Sequence, residues 1–224
     1  MKNQASRFIC AGIISCTCIV NPALAEESNT RKGFYLSSGI GKAHYQSSEI
    51  NFDSSDVFGN WEYESNDWQF KFGVGYDFGN IRTEFEYGKD TFEYEDYSQN
   101  GADSTATGDL DLTTKSIRAF YDFNSNSKLS PYVGYGYGKS TYKNKGGTAA
   151  GDTTKIHTTD MDSQQLIIGA TYELNQRSEI YTELSYEVTD NFRIGQNVHT
   201  ANHNSYKQDG FEKIAMFTGL RYRF

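Results

Sequence analysis

The stretch Phe211-Glu212-Lys213-Ile214-Ala215-Met216-Phe217-Thr218-Gly219-Leu220-Arg221-Tyr222-Arg223-Phe224 decides the fold. From Ile214 onward, every second residue (Ile214, Met216, Thr218, Leu220, Tyr222, Phe224) is apolar, aromatic or Thr. The alternate set ends in Gly219, Arg221 and Arg223. Successive side chains of a strand point to opposite faces, so this segment has an oily edge and a cationic edge. A wall between lipid and a polar lumen requires that division.

The same alternation recurs upstream. Asp67 to Phe78 sets Trp68, Phe70, Phe72, Val74, Tyr76 and Phe78 against Gln69, Lys71, Gly73, Gly75 and Asp77, and Gly79-Asn80 then turns the chain. Further alternating segments are Gly33 to Ala43, Ile81 to Thr91, the run ending Ile117 to Phe123, Pro131 to Tyr142, Ser163 to Leu174 and the run through Ile180 to Val188. With the last strand they make eight. Short turns join them in pairs, and four long polar stretches, Tyr45 to Asn66, Phe92 to Asp111, Lys143 to Met161 and Thr189 to Gly210, read as loops. The expected fold is all-β: an eight-stranded antiparallel up-and-down transmembrane β-barrel with its short turns periplasmic. A soluble sandwich or lipocalin-like barrel would put the aromatic face inside and the charges outside.

Residues 1–25 read as an export signal, with Lys2 and Arg7 at the start, a mostly apolar run from Phe8 to Val20, and Ala23-Leu24-Ala25 before the cut. The domain expected is then 26–224. Ile13-Ile14-Ser15-Cys16 offers a competing lipoprotein box, but it would leave a very short apolar stretch. Cys10, Cys16 and Cys18 all fall within the leader, so the mature chain has no thiol for a disulfide or a metal site. Removing the leader's two bases takes the formal charge from −8 to −10. That balance argues against nucleic acid as a partner. The strongly negative mean hydropathy does not argue against a membrane barrel, because only half of each strand meets lipid.

The leader, the eight strands, Gly134-Tyr135-Gly136-Tyr137-Gly138, Tyr121-Asp122-Phe123 and Gly219-Leu220-Arg221-Tyr222-Arg223-Phe224 together resemble the opacity-protein-like outer-membrane barrels, a group related to the membrane domain of outer membrane protein A. The resemblance implies the outer membrane of a Gram-negative bacterium. It also implies a terminal aromatic, Phe224, read by the barrel-assembly machinery, and a role as surface antigen, adhesin or structural barrel.

By parity the lumen receives Lys71, Asp77, Arg82, Glu84, Glu86, Arg118, Asp122, Glu173, Glu183, Glu187, Arg221 and Arg223, seven acids and five bases. An unpaired charge there is costly, so ion-pair ladders are expected, with Lys71, Arg82, Glu84, Glu86, Arg118, Asp122, Glu183 and Arg221 as the network. A lumen of eight strands is only wide enough for its own side chains, which favours a plugged core over a narrow porin-like channel for small solutes. Lys42, Lys89, Lys115 and Lys139 fall on the lipid-facing parity at the extracellular strand ends, where they are expected to meet outer membrane lipid and lipopolysaccharide phosphates. Trp68, Tyr76, Phe78, Tyr121, Phe123, Tyr222 and Phe224 are expected as the interfacial girdle.

Enzymatic chemistry finds little support. The Gly134 to Ser140 run lacks the glycine spacing of a phosphate loop. His199 and His203 have zinc spacing only if their segment were helical. His203-Asn204-Ser205 resembles a lipid A deacylase motif, but no acid is placed to orient the histidine. No catalytic residue, metal or cofactor is expected, and the barrel is expected to be monomeric. The first two polar stretches are acidic, which permits divalent cations or basic partners, such as an unidentified host or cell-surface ligand.

Overall fold

The computed structural model describes residues 32–46, 48–52, 58–64, 68–99, 102–123, 127–149, 152–154, 157–195, 205–208 and 210–224. The expected leader at 1–25, the Ile13 to Cys16 box, and His199 and His203 lie outside them. The strands are β1 (Gly33–Tyr45), β2 (Ser48–Phe52), β3 (Phe58–Glu64), β4 (Gln69–Asp77), β5 (Ile81–Gln99), β6 (Ala102–Asp122), β7 (Leu129–Ala149), β8 (Asp152–Thr154), β9 (His157–Glu173), β10 (Ser178–Thr189), β11 (Phe192–Gly195), β12 (Ser205–Gln208) and β13 (Glu212–Arg223).

Eight of these close on themselves. β1 pairs with β4, and the ladder continues through β5, β6, β7, β9, β10 and β13, every pair antiparallel. β13 then pairs back onto β1 from Tyr35↔Arg223 to Tyr45↔Lys213. Closure leaves the membrane-spanning wall without a free edge. Side-chain parity is that of a lipid-facing barrel. Trp68, Phe70, Tyr135, Ile117 and Leu220 are exposed on the outer face, whereas Glu84 and Arg118 are only 2% and 3% exposed. The soluble alternative would require the reverse.

The short turns lie at one end. Phe78 N donates to Ile81 O (2.8 Å) across Gly79-Asn80, and Gly79 N donates to Asp77 Oδ1 (2.7 Å). Gly79 has φ +116°, a conformation that side-chain-bearing L-residues rarely adopt. At the third turn Asn175 Oδ1 accepts from both Arg177 N (2.9 Å) and Ser178 N (3.0 Å).

The opposite end differs from the sequence expectation. The four stretches read as loops contain much strand: β5 runs on to Gln99, β6 starts at Ala102, β7 reaches Ala149, and β2, β3, β11 and β12 lie within the other two. These pieces keep the neighbours of the barrel strands they follow. β12 pairs with β2 as β13 does with β1, β2 with β3, β3 with β5, and β11 with β12. The wall therefore continues past the oily band as a crown. At the rim Gln46 N donates to Glu212 O and Asp190 N to Asp162 O, each 2.9 Å. On β5 the alternation is interrupted where the pairing with β6 shifts register between Tyr94 and Asp96. Glu93-Tyr94-Glu95-Asp96-Tyr97 is acidic at both parities.

Candidate functional site

The lumen is built in tiers. Nearest the short turns, Arg82 makes a two-point pair with Asp122 (Nε–Oδ2 2.6 Å, Nη2–Oδ1 3.0 Å). Beside it Arg223 bridges Asp77 (2.8 Å) and Glu179 (2.6 Å), and Arg221 also reaches Glu179 (2.9 Å). Above them Arg118 is a hub. Its Nη2 lies 2.7 Å from Glu84, and its Nη1 lies 2.6 Å from Glu86 and 3.2 Å from Glu183. Lys71 contacts Glu183 and lies 3.3 Å from Glu86. In the third tier Lys213 joins Asp90 (2.9 Å) to Glu187 (2.6 Å).

The buried lumen charges among the described residues are eight acids and six bases. Hydroxyl donors serve the surplus carboxylates. Ser37 donates to Glu84 (2.9 Å), Tyr132 to Glu183 (3.1 Å), Tyr45 to Asp90 (2.8 Å), and Ser140 to Glu187 (3.0 Å). Buried carboxylates are tolerated when their lone pairs are filled in this way. Cations also stack on rings: the Arg82 guanidinium lies 4.6 Å from the Phe120 centroid, and Lys71 Nζ lies 4.3 Å from that of Phe217.

Glycines give these large groups their room. A Cβ on Gly134 would sit 2.4 Å from the Phe120 ring. The Gly-Tyr-Gly-Tyr-Gly run therefore puts tyrosines towards lipid and space towards the lumen.

From the level of Lys71 up past the third tier, Ala43, Tyr45, Leu110, Leu112, Tyr142, Met161, Phe211, Ala215 and Phe217 form a buried apolar cluster. Phe211 stacks on Tyr142 at 5.8 Å between centroids. The lumen holds a cavity of about 20 Å³ lined by Arg82, Asp122 and Glu179 and another of about 20 Å³ lined by Lys71, Glu86, Gln165 and Lys213. Each has room for about one water molecule. No cluster of His, Cys, Asp or Glu suited to a metal occurs among the described residues.

Of the eight residues named for the network, Arg82 meets Asp122, while Lys71, Glu84, Glu86, Arg118 and Glu183 form one cluster. Arg221 meets none of the other seven and pairs with Glu179. Glu179, Asp90 and Lys213 were missed. Each lies on the lumen parity of its strand, and following the alternation two to four residues further would have found it. Glu173 was placed in the lumen but lies half-buried at the strand end.

On the outside, Lys42 Nζ lies 5.2 Å from the Trp68 ring centroid, Lys89 lies 3.7 Å from Asp111, and Lys139 lies 3.6 Å from Asp162. Lys115 is exposed. At the short-turn end the rings pair edge to face, Tyr121 with Phe123 at 5.1 Å and Tyr222 with Phe224 at 5.5 Å. Tyr76 lies 4.6 Å from Phe78. Trp68 is at the other end of the wall, beside Lys42.

A family model for the outer membrane protein beta-barrel domain matches residues 10–224. The chain belongs to this family. It is a barrel of the Gram-negative outer membrane. OprG of Pseudomonas aeruginosa superposes with a TM-score of 0.63 at 16% identity, covering 86% of this chain and 96% of that one. The outer membrane protein AlkL gives 0.57 at 16%, covering 90% and 94%. Neisserial surface protein A gives 0.51 at 17%, covering 86% and 97%. At these identities the likeness is one of fold. A comparison of sequence with curated proteins gives no match.

Proposed function

We propose that this outer-membrane barrel is a closed, non-enzymatic scaffold that holds its β-structured crown outside the cell for surface display or adhesion. The observation that supports this most is the contrast between its two halves. The bore is crossed by three tiers of ion pairs and also holds a buried apolar cluster. Yet β6 and β7 each run 21 residues, about twice the 9–11 that a membrane crossing needs. A channel would need an open water column, whereas the Arg118 ion pairs and the apolar residues around Phe211 take up lumen space.

In this reading the barrel is a monomer. Its lysine rim (Lys42, Lys89, Lys115, Lys139) stands at the level of lipopolysaccharide phosphates, and Phe224 serves recognition by the assembly machinery. Two measurements test the proposal. Planar-bilayer recordings of the purified barrel are expected to show no discrete openings. Binding of whole cells to a host or neighbouring surface is expected to fall when the β5–β6 crown segment (residues 93–108) is replaced by a short turn. Solute flux that changes with Glu84→Gln, with cell binding unaffected, would instead favour the narrow channel.

A further inference from the structure

The four rim lysines are not equivalent. Lys42 is engaged with Trp68, and Lys89 is held near Asp111. Lys115 and Lys139 face each other directly as register partners on β6 and β7, both on the outer face and both exposed. Like charges directly opposite on adjacent antiparallel strands repel, at a Cβ spacing of roughly 4.5–5.5 Å. Asp162 lies 3.6 Å from Lys139, with its own side chain 41% exposed. Lys115 has no acidic partner among the described residues.

The outer wall of β6 and β7 below the pair is aliphatic and aromatic. Ile117 follows Lys115 on the outer parity of β6, Tyr137 and Tyr135 precede Lys139 on β7, and all three are exposed. An acyl chain lying on that strip would carry its head group up to the two ammonium groups. A phosphate between them would relieve their repulsion, because a doubly charged anion can accept from both at once.

We propose that Lys115 and Lys139 form a two-point clamp for one phosphate of a lipopolysaccharide molecule packed against the β6–β7 face. The clamp rests on the outer-leaflet reading of the lysine rim and narrows it to one pair.

The test compares wild type, Lys115→Gln/Lys139→Gln and Lys42→Gln/Lys89→Gln as folded barrels in detergent. Each is titrated with bisphosphorylated lipid A, with dephosphorylated lipid A and with phosphatidylglycerol. All four side chains are exposed, and heat-modifiable gel mobility checks that each variant has folded. The expected result is a loss on the order of tenfold in lipid A affinity for the Lys115/Lys139 pair, against a smaller loss of about threefold or less for the other pair. Dephosphorylated lipid A should bind wild type as weakly as the variant binds the phosphorylated form.

Equal losses from either lysine pair would overturn the clamp and leave the wider rim reading standing. Affinity indifferent to phosphate in every protein would overturn both. Phosphatidylglycerol binding as tightly as lipid A would overturn lipopolysaccharide as the source of the phosphate.

Discussion

Arg118 shows how one residue can organise a lumen. It answers Glu84, Glu86 and Glu183, which come from β5 and β10. Arg118→Ala would leave these carboxylates with Lys71 and hydroxyls alone. Breaking a buried ionic cluster from one side costs about 3–5 kcal/mol, so the variant should unfold at clearly lower urea in detergent. Charge alone is not enough: Arg118→Lys should recover only part of the loss, because an ammonium cannot span three carboxylates with a planar fork. Gly134 tests packing in place of charge. Gly134→Val drives a side chain into the Phe120 ring and should cost roughly 1–3 kcal/mol. Phe120→Leu in the same chain should restore part of the urea midpoint, a coupling visible in a double-mutant cycle.

At the scale of the element, each hairpin depends on its turn. Gly79 sits at φ +116° between β4 and β5, so Gly79→Val should cost about 1–3 kcal/mol and slow refolding in micelles, with Asn80→Ala as a milder control. Strands were legible in the sequence wherever one face meets acyl chains, because oil and water then sort residues by parity. Trp68 to Phe78 could be assigned by eye for that reason. The crown was not legible: acids fall at both parities from Glu93 to Tyr97, and the β5–β6 pairing shifts register between Tyr94 and Asp96. Within the lumen, parity told which residues point inward but not their height or azimuth. That Arg221 chooses Glu179, and that Lys213 bridges Asp90 and Glu187, depends on register across strands far apart in the chain. The outward positions of the four lysines were readable. The face-to-face placement of Lys115 and Lys139 needed the β6–β7 register.

For the whole molecule, polarity is turned inside out: the charges lie within and the oily residues without. Buried pairs are shielded from mobile ions, so raising salt from about 0.1 M to about 1 M should barely move the urea midpoint. The lysine rim is exposed, and the lipid A binding proposed there should weaken over the same range. The closing ladder between β13 and β1 brings Phe224 N within 3.1 Å of Phe34 O, so the two ends of the described wall are neighbours on the rim that carries the short turns. The order in which the strands are strung together is therefore separable from the order in which they stand. A circularly permuted chain, with Phe224 linked to Gly33 by a few glycines and reopened at Asn175, would keep every pairing while hiding its aromatic end mid-chain. Such a protein should refold in micelles; on the proposal that Phe224 is read by the assembly machinery, living cells should fail to insert it, which would divide what the barrel needs to exist from what it needs to be delivered.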